Sequence, residues 1–61
     1  MKLKELVNKI DNDTFLFIIG GPDAEVLFKR KYASDVIPEN LLNMEVGSVF
    51  NEFNSLYIYV Q

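Results

Sequence analysis

Leu56-Tyr57-Ile58-Tyr59-Val60 alternates aliphatic and aromatic side chains with a period of two, the mark of a β-strand whose two faces meet different surroundings. The spacing turns Leu56, Ile58 and Val60 toward a core and sets Tyr57 and Tyr59 on the opposite face. Immediately upstream, Asn54-Ser55 supplies a hairpin turn. Before it, Glu45 to Phe53 reads as a partner strand in which Val46, Ser48 and Phe50 alternate against Val49 and Phe53, with a bulge at Gly47.

Working outward, Thr14-Phe15-Leu16-Phe17-Ile18-Ile19 is β-branched and aromatic throughout, which suits a strand covered on both faces, one by a helix and one by a partner. Gly20-Gly21-Pro22-Asp23 then marks a tight turn, because glycine tolerates positive φ and proline presets a turn corner. Glu25 to Tyr32 returns antiparallel, with Val26, Phe28, Arg30 and Tyr32 on one face and Glu25, Leu27, Lys29 and Lys31 on the other. Residues 33 to 44 form a crossover. Pro38 opens a short helical turn through Leu42, and Ile37 packs back on Leu41 or Leu42 as a staple.

At the start of the chain, Leu3, Leu6, Val7 and Ile10 follow i, i+3, i+4, i+7 spacing, which predicts an amphipathic helix over residues 2 to 10. Asp11-Asn12-Asp13 ends it, since these side chains compete for backbone hydrogen bonds. The fold class is therefore α+β, a single domain over residues 1–61. An N-terminal helix packs on a four-stranded, mainly antiparallel sheet in the order α-β-β-(short helix)-β-β.

Composition limits what such a domain does. The chain has 61 residues without cysteine or histidine, so disulfides and the usual ligands of zinc and copper are missing. Folding at this size buries only about 60% of the unfolded surface, yet 49% of the residues are hydrophobic and 13% aromatic. That surplus predicts association, most simply as a homodimer. Met1-Lys2-Leu3-Lys4-Glu5 is followed by no apolar run of signal-peptide length, and the longest apolar stretch, Phe15 to Ile19, is far short of a membrane span. The expectation is a cytoplasmic protein with no membrane partner.

No catalytic constellation emerges. Ser34, Ser48 and Ser55 stand in turn or surface-strand contexts with no histidine to activate them, so the reading is not an enzyme, and no cofactor is implied. Gly20-Gly21-Pro22-Asp23 lacks the Gly-Lys-Ser/Thr of a phosphate loop and leads into a strand. Asp11 and Asp13 begin like a calcium loop, but Leu16 and Pro22 occupy the positions that need glycine and glutamate.

Charge is uneven. All six cations lie within the first 31 residues, whereas residues 32 to 61 hold four acids, Asp35, Glu39, Glu45 and Glu52, and no cation. An acidic half disfavours nucleic acid there and suits a basic protein partner. The candidate interaction surface is Tyr57 and Tyr59 with Glu39, Glu45 and Glu52. The alternative is a small nucleic-acid-binding module using Lys29, Arg30 and Lys31 with Tyr32, cations for phosphates and rings for bases. A pI near 4.6 weighs against it, and an edge strand guarded by lysines is the simpler account of those residues.

The succession Met1-Lys-Leu-Lys-Glu-Leu6, Ile10-Asp-Asn-Asp-Thr14, Ala33-Ser-Asp-Val-Ile-Pro-Glu-Asn-Leu-Leu42 and a terminal hydrophobic hairpin resembles small proteins encoded by phages and prophages of Firmicutes. The likeness covers nearly the whole chain and transfers no activity and no site residue. It implies an accessory protein of a mobile element, working in the host cell by binding host or phage proteins, inhibitors of host factors among them.

Overall fold

The computed structural model describes all residues except Ala33, so the first position of the expected crossover lies outside the described residues. The chain is α+β, in the order α1 (Leu3–Val7), β1 (Phe15–Gly20), β2 (Glu25–Arg30), α2 (Glu39–Leu42), β3 (Val46–Glu52) and β4 (Ser55–Val60). The strands form one sheet in the order β2-β1-β4-β3. Both hairpins are antiparallel, and the central pair β1 and β4 runs parallel.

The expected N-terminal helix is shorter at both ends. Glu5 Oε1 accepts from the Lys2 N–H at the start. After Val7 the bonds shift to i→i−3, Lys9 N to Leu6 O and Ile10 N to Val7 O, a tightening common at helix ends. The apolar stripe nevertheless packs as its spacing requires, with Leu3 fully buried and Leu6, Val7 and Ile10 against the core. A bridge between Lys2 and Glu45 ties the helix start to the beginning of β3, through Leu3 N to Met44 O and Val46 N to Met1 O.

Leu16, Ile18, Ile58 and Val60 form the floor of the core, and Leu3, Ile37 and Leu41 close it from above. Ile37 and Leu41 both join that core, and Pro38 serves as N-cap one residue before α2, not as its first residue.

Two bulges decide which side chains face which way. One lies at Gly47: Val46 pairs with Val60 on the core face, while Ser48 and Phe50 pair with Tyr59 and Tyr57 on the other. Val46 therefore parts from Ser48 and Phe50, with which simple alternation had grouped it. The second lies at Leu27, between the pairs Ile18–Phe28 and Ile19–Val26. It moves Val26 to the face of Lys29, away from Phe28 and Arg30.

The second hairpin turns at Phe53 and Asn54, both at positive φ (50° and 64°), and not at Asn54-Ser55, because Ser55 already pairs with Glu52. Two successive positive φ values give the turn whose twist matches its strands.

Candidate functional site: the open face of the sheet

The helices cover one face of the sheet, and the register assigns the rest to the other. Across all four strands run Lys29, Phe17, Tyr57 and Phe50, each paired with the next. The adjacent row is Val26, Ile19, Tyr59 and Ser48, and beyond the first lie Phe15, Ser55 and Glu52. Neither short helix packs on these rows. The covered face is aliphatic apart from Phe28 and Arg30; the open one carries five of the eight aromatic rings.

Those rings organise one another. Phe17 and Tyr57 stack with centroids 4.8 Å apart and planes 9° from parallel, and Phe15 stacks on Phe17 at 5.4 Å. Phe50 meets Tyr59 edge to face at 5.4 Å. Both arrangements suit the ring quadrupole. They leave Phe15, Phe17, Tyr57 and Tyr59 half-buried by their own neighbours, while Phe50 stays 56% and Val26 58% exposed. At the hairpin tip Phe53 is 90% exposed in the left-handed region, where a bulky residue is a rare choice.

Of the interaction residues anticipated from the sequence, Tyr57 and Tyr59 lie at the centre of this face and Glu52 at its β3 edge. Glu39 begins α2 in the covering layer, and Glu45 precedes β3 beside the Met1 amino group at 3.3 Å. The acids therefore do not gather around the tyrosines. Phe15, Phe17 and Phe50 on this face and Phe53 at the hairpin tip belong to the same aromatic set and were missed. The signal for Phe15 and Phe17 was their alternation with Leu16 and Ile18 within the first strand.

The Lys29-Arg30-Lys31 run is not one surface. Lys29 joins the open face, whereas Arg30 turns into the covered side and is 5% exposed. Its Nη2 donates to the carbonyls of Asp11 at 3.1 Å and Thr14 at 3.5 Å, pinning the loop before β1. Lys31 and Tyr32 follow the strand, both exposed, with the Lys31 Nζ 5.6 Å from the Tyr32 ring centroid. Their backbone N–H groups donate to Asp35 Oδ2, each at 3.0 Å. These two bonds, Tyr32's first, hold the Asp35 carboxyl below its ordinary pKa.

Among the described residues no group of three or more acids is placed to hold a metal ion, and no helix is long and apolar enough to cross a membrane. No family model, curated protein or solved structure matches the chain.

Proposed function

We propose that this protein is a non-enzymatic interaction module, an accessory protein of a phage or mobile element, that binds other proteins through the open face of its sheet. The row Lys29–Phe17–Tyr57–Phe50 carries the reading. Aromatic side chains are the group most enriched where protein surfaces anchor one another, and here they are fixed by strands and by mutual stacking, so little side-chain entropy is lost on docking.

The first partner under this reading is a second copy. The molecule extends 28 × 24 × 17 Å along its principal axes, the shortest suiting a sheet with a single layer above it. Each open face then offers on the order of 600 Å², and two pressed together bury on the order of 1,200 Å², enough for a specific interface. A host factor whose activity is blocked by the same face is the heterologous version. Light scattering across a wide concentration range is expected to give twice the 7.0 kDa chain mass, and Phe50→Lys with Tyr57→Lys to return the monomer. A wild-type monomer at every concentration would remove the second copy.

One observation favours a second reading, single-stranded nucleic acid. The Phe17–Tyr57 stack with Lys29 in the same row matches platforms on which bases stack beside a cation. Against it stand the net charge of −3 and the inward turn of Arg30. Fluorescence anisotropy with a labelled oligonucleotide separates the two, because this reading requires binding that weakens steeply with salt and disappears in Phe17→Ala.

A further inference from the structure

On the opposite side of the molecule from the open face, Arg30 is a buried cation without an anion. It is 5% exposed, and Nη2 reaches only two neutral carbonyls. Among the described residues Nε is buried with no hydrogen-bond partner, and no carboxylate lies within ion-pair distance of the side chain. Neutral acceptors offset only part of the cost of taking a charge out of water, and an orphaned donor adds to it.

Arg30 lines a cleft of about 230 Å³. Lys4, Val7 and Asn8 stand along one wall, at the i, i+3, i+4 spacing that brings them to one side of α1 and the turn that ends it. Val36, Ile37 and Leu42 make the other wall apolar. Asp35 also borders the cleft, but its Oδ2 already accepts from the Lys31 and Tyr32 N–H groups. The site thus sums two cations against one anion, a charge that one further monovalent anion neutralises.

We propose that this cleft binds a carboxylate carrying a short aliphatic group, the carboxylate on the Arg30 guanidinium with Lys4 and Asn8 beside it, and the alkyl part against Val7, Ile37 and Leu42. With Nη2 held by the two loop carbonyls and Nε buried, the carboxylate meets the guanidinium at its remaining nitrogen, Nη1, as a charge-assisted hydrogen bond, and the branched walls supply the apolar half. Two sources share this chemistry, the C-terminal end of a peptide finishing in an aliphatic residue and a free short-chain acid. This site stands independently of the open face.

The test is a nuclear magnetic resonance titration of the labelled full chain with N-acetyl-leucine, N-acetyl-leucine amide, hexanoate and inorganic phosphate, following the Arg30 Nε–H and Asn8 side-chain signals. Saturable movement of both signals with N-acetyl-leucine, at a dissociation constant on the order of 1 mM for so small a ligand, and none with the amide, is the expected result. Binding of hexanoate alone would assign the site to free acids; binding of N-acetyl-leucine alone would assign it to peptide ends. Lys4→Met, at the exposed rim, is expected to weaken binding about fivefold without changing the thermal midpoint. The proposal is overturned if neither carboxylate moves the Arg30 signal, if the amide binds as well as the acid, or if phosphate saturates the site equally.

Discussion

The two faces of this sheet are built from the same strands, residue by residue, yet they solve the problem of apolar surface differently. On the covered face Leu16, Ile18 and Ile58 are completely buried beneath Leu3, Ile37 and Leu41. On the open face Phe17, Tyr57 and Tyr59 reach only half-burial, and they do so by lying against one another. Two helices of five and four residues cover one face and no more. A chain this small cannot hide a second apolar layer within itself, so its most aromatic surface is left uncovered by the helices.

The sharpest measure of that contrast is a pair of truncations in adjacent residues. Ile58→Ala empties a fully buried position and is expected to cost about 3 kcal/mol in urea unfolding. Tyr57→Ala removes a half-buried ring and its stack on Phe17, with an expected cost of about 1.5 kcal/mol. Equal costs would show that both faces are core, and would break the comparison. Gly20 is a further probe: a Cβ there would stand 2.9 Å from Leu27 Cδ1 and 3.1 Å from the Val60 carbonyl oxygen. Gly20→Ala is therefore expected to lower stability by about 1 kcal/mol in the same measurement.

Phe53 tests the open surface from the other direction. It is held at positive φ with almost its whole side chain in solvent, so Phe53→Asn is expected to raise stability by about 0.5 kcal/mol in a thermal melt. A gain in stability accompanied by weaker association would mark the phenylalanine as retained for contact.

The smallest effect is expected at Asp35, away from both faces. Its folded pKa is depressed below 3.8 by the two backbone donors, so its contribution is fully present above that value and is lost as pH falls through the folded pKa. Asp35→Asn should flatten the pH dependence of stability below about pH 4, as followed by circular dichroism.

How much of this was legible depended on the range of the signal. The inward and outward sides of Leu56–Val60 followed from alternation alone, and Gly47 announced its bulge because glycine weakens a regular strand. Nothing in Glu25–Arg30 marks the bulge at Leu27. Its consequence, Val26 moving to the open face, emerged only from the pairing. Alternation had already separated Arg30 from Lys29, so grouping all three cations as one surface conflicted with the strand itself. The turn at Phe53–Asn54 was hidden because phenylalanine seldom adopts positive φ. The orphaned Arg30 Nε depends on the loop, the helix and the crossover together, and no local pattern encodes that.

The parallel pairing of β1 with β4 also bears on how the chain reaches its native state. Each hairpin joins neighbours in sequence and closes through a small loop, whereas Phe15 and Ser55 must meet across most of the polypeptide. A lone hairpin is only marginally stable in water, and contacts between distant segments carry the larger loop-closure entropy. Pairing β1 with β4 therefore carries the largest loop-closure cost in the sheet, and each marginal hairpin gains its stability only when the two meet along their central edge.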